Sequence, residues 1–398
     1  MTSNLGPAPL LDALAVNVLA LNVGSASLKA ASYSLSAVTA NDGPVALATA
    51  RISLDVGAAP AAFPEAIADE LLSHLVADFP VLGDCPSAVL HRIVHGGDRP
   101  RPLQLTPLIV RELEDLATWA PLHQPPALAL VAAARKRWPA AKQIGVFDTS
   151  WHQTMAEKHR LFALPHALYV SGVKRYGFHG LAFQSAMQKL AQLQPALAND
   201  RVVLAHLGGG SSLCAVLQGR SINTTMGMTP LGGLPMATRS GSLDPGVLLH
   251  LQRELALSPP EIDQLLWRES GLLGLSAESG DMRTLLNSNS EGARRAIDVF
   301  VAGVVEAIAA MAASTQGIDA LVFSGGIGSH ATAIRARVAA GLAWLGIHID
   351  PQLNSLGGFE ISAAVSPVRT FVVAVDEERE MLRSVLLCSG MADSGSTQ

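Results

Sequence analysis

The sequence predicts an α/β protein of two related domains, and three observations carry that expectation. Apolar strand-like runs alternate with segments of helical periodicity along most of the chain. A strand, Gly/Ser turn, strand unit occurs twice, as ALNVGSASLKAA from Ala20 and as AHLGGGSSLCAV from Ala205. At a constant offset Gly24 meets Gly209, Ser27 meets Ser212, Leu28 meets Leu213 and Ala30 meets Ala215. At 398 residues the chain also exceeds what one hydrophobic core ordinarily serves.

The elements follow in order. The apolar N-terminal stretch carries no positive charge ahead of it and runs into a glycine turn, so it reads as a short leader and then a strand. Each hairpin is followed by a third strand, over 45–54 and over 220–224. Buried strands of the α/β kind are expected at 89–94, 144–147, 320–323 and 370–375. Amphipathic spacing predicts helices at 61–76, 106–116, 126–138, 182–193, 259–267, 293–313, 331–345 and 377–387. The apolar run 296–313 is interrupted by Asp298 and Glu306 and is shorter than the ~20 residues of a membrane span, so it reads as a core helix. Two halves opening on one hairpin suggest duplication, with the boundary near Asp148–Thr154. No Pro-, Gly- or Ser-rich linker lies there, so close packing about a hinge and an interdomain cleft are expected.

Composition narrows the function. With 49% hydrophobic and 15% charged residues, extended disorder is excluded. A net charge of −5 with scattered basic residues gives no footprint for nucleic acid or for a membrane surface. Cys85, Cys214 and Cys388 are far apart and sit in apolar sequence, which reads as buried reduced thiols in a cytoplasmic protein.

Three turns are compatible with phosphate. Asn22, Gly24-Ser25-Ala26-Ser27 and Lys29 offer small residues, hydroxyls and an ammonium, although a Gly/Ser turn is also an ordinary hairpin turn. The run His206 to Ser212 spends three successive glycines, which favours close approach by a ligand or by backbone. A third glycine turn, Ser324-Gly325-Gly326-Ile327-Gly328, follows an apolar strand and precedes a helix, where α/β sheets bind nucleotides. Together they point to a nucleotide phosphotransferase. Arg92 lies on a buried-looking strand and Arg239 in a Gly/Pro-rich loop; each needs an anion, either a ligand or a structural partner such as Asp98 or Asp244. His179 and Asp148 supply a donor and a carboxylate near the proposed hinge. For Glu377 the helix-start position reads first as a dipole partner, with Asp376 as the cap.

The segments LNVGSASLK, HRIVHGG, PLHQPPAL, FDTSWHQTM, LPHALYVSGVKRYGFHG, HLGGGSSL, INTTMGMTPLGGLPMATRSGSLDP, ESGLLGLSAESGDMR, VFSGGIG and VDEE together resemble the acetate kinase family. The resemblance implies a duplicated actin-like/ribonuclease H-like fold. It implies division into 1–150 plus 376–398, with the acyl and phosphate elements, and 151–375, binding nucleotide and forming a homodimer. It implies transfer of the γ-phosphoryl group of ATP to acetate, with Mg2+, or Mn2+ in its place, and ATP/ADP as co-substrate. Arg92 and Arg239 would bind the carboxylate and the phosphoryl group in flight, His179 would donate to that group, and Asp148 would position substrate and metal. Asn22 and Glu377 would help hold the metal. Val94, Leu122, Phe178 and Pro230 match the family's acyl pocket. The nucleotide set would be Ser25, Ser27 and Lys29, then His206, Gly208, Gly209 and Gly210, then Asp281, Met282, Arg283, Gly326, Ile327, Gly328 and His330.

The chain also departs from the family pattern. Ala26 replaces a serine of GSSS, Leu181-Ala182-Phe183 replace the polar end of HGTSH, Gly209 replaces an asparagine, Ser242 an acid, and Ser329-His330 a Glu-Asn pair. Most of these touch the phosphate or nucleotide side, so retained chemistry with altered donor binding is expected. The alternatives are a propionate or other short-chain acyl kinase, a pyrophosphate-dependent variant, and a catalytically weakened nucleotide-binding regulatory homologue.

Overall fold

The computed structural model describes residues 10–11, 17–24, 27–35, 46–53, 65–78 and 85–390. Ser25 and Ala26 lie outside the described residues, as do much of the N-terminal stretch and parts of the segments expected at 45–54 and 61–76. Two compact units are present, Met1–Ser150 with Asp376–Gln398, and Trp151–Val375.

The first unit is built on β1 (Asn17–Val23), β2 (Ser27–Ser34), β3 (Ala46–Ser53), β4 (Ala88–Ile93), β5 (Leu103–Gln104) and β6 (Lys142–Phe147). The sheet order is β3-β2-β1-β4-β6-β5. β1, β2 and β3 form an antiparallel meander, while β4 runs parallel to β1 and β6 parallel to β4. Its central strands are continuous apolar runs because both faces are covered. Leu72, Leu75, Leu130, Val131 and Ala134, from the helices Glu65–Asp78 and Gln124–Arg137, join Leu19, Leu21, Val89 and Phe147 in one core. The terminal helix Glu377–Cys388 packs on β1 and buries Met381, Leu382 and Val385.

The second unit repeats the pattern with β7 (Arg201–Leu207), β8 (Ser211–Leu217), β9 (Arg220–Thr224), β10 (Ala320–Ser324) and β11 (Arg369–Val372), ordered β11-β10-β7-β8-β9. Its meander is β7, β8 and β9, and β10 is parallel to both β7 and β11. Hairpin β1–β2 thus corresponds to hairpin β7–β8, as the repeated motif requires. Helix Glu291–Ser314 presents Ala296, Phe300, Val304 and Ile308, spaced by four, to the sheet and covers one of its faces. Among the described residues it is the one helix long and apolar enough to cross a membrane, and it is the core helix expected. Helix Gly180–Leu193 covers the other face through Phe183, Ala186 and Leu190.

Three expectations are corrected. The segment read as a turn before a helix is itself helical: Gly325–His330 starts directly after β10, and Gly325 (φ 77°) could not carry a Cβ, which would fall 2.5 Å from the Leu207 carbonyl oxygen. The helix expected at 331–345 ends at Gly341, and a short 3-10 turn, Ala343–Leu345, follows. Of the cysteines only Cys214 is buried, its thiol pushed up to about 12 by burial; Cys85 precedes β4 and Cys388 ends the terminal helix, and both are exposed.

Candidate active site

In the first unit the carboxyl ends of β1, β4 and β6 lie on one edge of the sheet, where α/β proteins gather ligand-binding groups. Arg92 projects from β4, and Asp148 follows β6 directly. Asp148 is fully buried and receives the guanidinium in a fork: Nη2 donates to Oδ2 at 2.7 Å and Nε to Oδ1 at 3.2 Å. Nη1 donates to Asn22 Oδ1 at 3.0 Å and to Glu377 Oε2 at 3.1 Å. Asn22, the polar residue at the end of buried β1, donates through Nδ2 to Glu377 at 2.8 Å and to Glu378 at 2.5 Å. Burial works against the Arg92 charge, but Asp148 and then Glu377 outweigh it, so its pKa is held above the ordinary value. The partners of Arg92 are therefore Asp148 and Glu377, in place of the Asp98 weighed from sequence.

Glu378 was not among the residues singled out from sequence. Its pKa is raised by burial and by its neighbour Glu377, against the pull of Lys29 and Asn22. Asp376 caps the helix by accepting from the Arg379 N–H at 2.9 Å, as sequence suggested. That leaves Glu377 turned toward Arg92. Three carboxylates around one guanidinium, with an amide oxygen beside them, form a hard-oxygen set with surplus negative charge. Mg2+ is held by such sets through one or two carboxylates plus substrate phosphate, seldom by a full protein cage. Among the described residues no group of three or more His, Cys, Asp or Glu is placed to hold a metal ion by itself. The donor set fits the ion.

The second unit gathers the other polar candidates. His179 precedes helix Gly180–Leu193 in the left-handed conformation (φ 57°) and pairs through Nδ1 with Ser212 Oγ at 2.8 Å. His206 on β7 pairs with Ser324 Oγ at 3.2 Å, and the two imidazoles stand 4.8 Å apart. Arg239 Nη1 donates to the Pro230 carbonyl at 2.7 Å, and among the described residues no carboxylate pairs with it. Asp244, the partner considered from sequence, instead caps helix Pro245–Arg253 by accepting from the Gly246 N–H. Burial alone pulls the Arg239 pKa down to about 10. Gly210 fixes where these groups converge, since a Cβ there would lie 2.8 Å from Arg239 Nη2 and 3.2 Å from His179 Nε2.

Beside this cluster is a cavity of about 710 Å3 lined by Gly208, Gly209, Ala237, Gly280, Asp281, Met282, Arg283, Leu286, Gly326, Ile327, His330 and Ala331. Its size suits a nucleoside. Gly209 and Gly326 face open space, so their missing side chains leave room at the wall. Asp281 caps Met282–Asn287 and also accepts from Arg283 Nη2 at 3.0 Å. Of the predicted nucleotide set, eight residues line the cavity. His206 and Gly210 stand by the His179 cluster, and Gly328 sits behind, its carbonyl bound by Arg335. Ser27 and Lys29 belong to the first unit, on β2. Ala237, Gly280, Leu286 and Ala331 were missed because small and apolar residues carry no chemical signature. The acyl set is divided: Val94 (buried) and Leu122 (half-buried) belong to the first unit, Phe178 and Pro230 (both buried) to the second.

Residues 17–383 match the family described as the Acetokinase family. The chain is 46% identical over 303 residues to the acetate kinase of Rhodopseudomonas palustris (strain TIE-1), covering 75% of this chain and 76% of that one. It is 39% identical over 305 residues to the acetate kinase of Clostridium botulinum (strain Langeland), covering 75% and 77%. Among solved structures, a propionate kinase from Francisella tularensis superposes with a TM-score of 0.80 at 30% identity, covering 92% of this chain and 98% of that one.

Proposed function

Since the chain belongs to the acetokinase family and has its actin-like fold, we propose that it transfers the γ-phosphoryl group of ATP to acetate, reversibly giving acetyl phosphate and ADP. The observation that carries this reading is Arg239, a buried guanidinium that among the described residues has one carbonyl partner and no carboxylate, beside His179. Such a charge is costly unless an anion completes it.

The reaction is an in-line displacement. A carboxylate oxygen of acetate attacks the γ-phosphorus as the bond to the β–γ bridging oxygen breaks, and ADP leaves with that electron pair. The nucleophile is already anionic, so no general base is required. Arg92 and Arg239 bind the carboxylate and the phosphoryl group in flight, and His179 Nε2 donates to the phosphoryl group, with Ser212 fixing its other nitrogen. Asp148 fixes Arg92. Asn22, Asp148 and Glu377 would hold Mg2+, which when bound neutralises phosphate charge. Val94, Leu122, Phe178 and Pro230 are the residues assigned to the acyl methyl group by their match to the family. One methylene there is worth about 1 to 3 kcal/mol, and the likeness to a propionate kinase supports propionate as a second acceptor.

The nucleoside-sized cavity, with Ile327, Met282 and Leu286 in its wall, favours ATP over pyrophosphate. The full set of Arg92, Asp148, His179, Arg239 and Glu377 favours an active enzyme over a regulatory homologue. We also propose a homodimer: helix Pro245–Arg253 has no buried residue and exposes Val247 and Leu249, and Val299 is exposed on the long core helix. A cytoplasmic location suits its free thiols.

Hydroxylamine trapping of acyl phosphate tests the reading, using purified protein, Mg2+, ATP or pyrophosphate, and acetate, propionate or butyrate. Hydroxamate from ATP and acetate is expected; none with any pair overturns the kinase reading.

A further inference from the structure

We infer that His152 is a positioning residue that fixes the Phe178–His179 peptide, and with it both a wall of the acyl pocket and the imidazole that meets the phosphoryl group. This rests on the roles proposed above for Phe178 and His179.

His152 is fully buried, and each ring nitrogen has one partner: Nε2 lies 2.9 Å from the Phe178 carbonyl oxygen and Nδ1 2.8 Å from Ser221 Oγ. A carbonyl oxygen only accepts, so Nε2 carries the proton. Nδ1 then accepts from the Ser221 hydroxyl. Ser221 Oγ is also 3.3 Å from Cys214 Sγ, whose hydrogen has a second acceptor in the Ala215 carbonyl oxygen at 3.6 Å. The chain from Ser221 through His152 to the Phe178 carbonyl has a single consistent direction. Burial holds the His152 pKa down at about 4, so this neutral tautomer persists through the ordinary working range.

The peptide held in this way needs holding. Gly177 (φ 79°) and His179 (φ 57°) both sit in the left-handed region, on either side of Phe178. A Cβ on Gly177 would fall 2.6 Å from His152 Cδ2 and 2.6 Å from Thr224 Cγ2, so the loop lies directly against the imidazole. The Phe183 ring closes another side, edge-on to His152 at 5.9 Å and to His179 at 6.5 Å. One side chain thus determines where the acyl-pocket ring and the phosphoryl donor stand relative to each other.

The test compares His152→Leu, which removes the donor, with His152→Gln, whose amide can still donate to the Phe178 carbonyl, and with Ser221→Ala, which releases the tautomer. His152→Leu is expected to lower kcat with acetate at least tenfold and to change the acetate-to-propionate ratio. Binding of a fluorescent ATP analogue should stay within about twofold. His152→Gln should recover most of the loss. Full activity of His152→Leu, or equal losses in His152→Leu and His152→Gln, would overturn the inference. Ring 15N spectra of the parent supply a readout independent of turnover: an Nε2–H tautomer is expected, and an Nδ1–H tautomer overturns the inference even if the variants fail to fold. A parent that makes no acyl phosphate but shows the Nε2–H tautomer would count against the kinase reading alone.

Discussion

Replacing Arg239 by methionine separates what the guanidinium does for catalysis from what it costs the fold. Burial lowers the Arg239 pKa from its ordinary value to about 10, and at about 1.36 kcal/mol per unit the folded chain carries a penalty of about 3 kcal/mol for keeping the charge. The sign follows from proton binding. Above pH 10, and up to the ordinary guanidinium value, the unfolded chain binds more protons, so stability rises with pH there, and below pH 10 the penalty is complete. In the proposed reaction an arriving phosphoryl group would compensate it. Methionine has similar length and no charge, so Arg239→Met should relieve part of the penalty, offset by loss of the hydrogen bond to the Pro230 carbonyl, worth about 1 kcal/mol. A gain of about 1 to 2 kcal/mol in unfolding free energy is expected. Loss of a preorganised donor to the transferring group costs about 3 to 4 kcal/mol in the transition state, so kcat should fall by about 10^2 to 10^3. Urea unfolding at pH 7 and hydroxylamine-trapped turnover measure the two quantities on one protein. Turnover within about threefold of the parent, or a marked loss of stability, would refute the reasoning.

The remaining predictions concern neighbouring groups. Arg92→Ala leaves Asp148 fully buried without its forked partner and should cost about 3 to 5 kcal/mol in urea unfolding, besides abolishing turnover. Gly210→Ala pushes a Cβ against Arg239 Nη2 and His179 Nε2; displacement of the donors should lower kcat by about 10- to 100-fold with little change in melting temperature. Leu249→Glu places a charge on the exposed helix Pro245–Arg253 and should halve the mass seen by light scattering, with the monomer still folded by circular dichroism.

The fold was legible where periodicity reports burial directly. β1 and β7 are apolar runs that end in a polar residue and a glycine turn, and the repeat between them became visible because both halves use the same hairpin. Helix Pro245–Arg253 was missed for another reason: it follows a Gly/Pro-rich loop, from which its own Pro245-Gly246 start was not separated, and none of its residues is buried. Helix Gly325–His330 was read as a turn because glycines signal loops, whereas here close packing on Leu207 demands one. The residue types at the candidate site were also legible; their pairing was not. Asp244 is five residues from Arg239 and looked like its partner, yet a local backbone N–H claimed it.

Phe183 sharpens the limit. From sequence it is a departure, an aromatic ring where the family motif is polar, and it suggested altered donor binding. In the fold its ring lies edge-on to His152, His179 and His206, three residues drawn from a 3-10 turn, a loop and a strand. A ring so placed packs beside the buried His152 and the half-buried His179 and His206 and limits their rotation on that side, which favours fixed donors over mobile ones. The substitution that reads as a lost polar group is, in packing terms, a gain in preorganisation. On the proposed roles, the departures bear on how tightly the donor is held, while Arg92, Arg239 and His179, the groups assigned to the transferring phosphoryl, are kept.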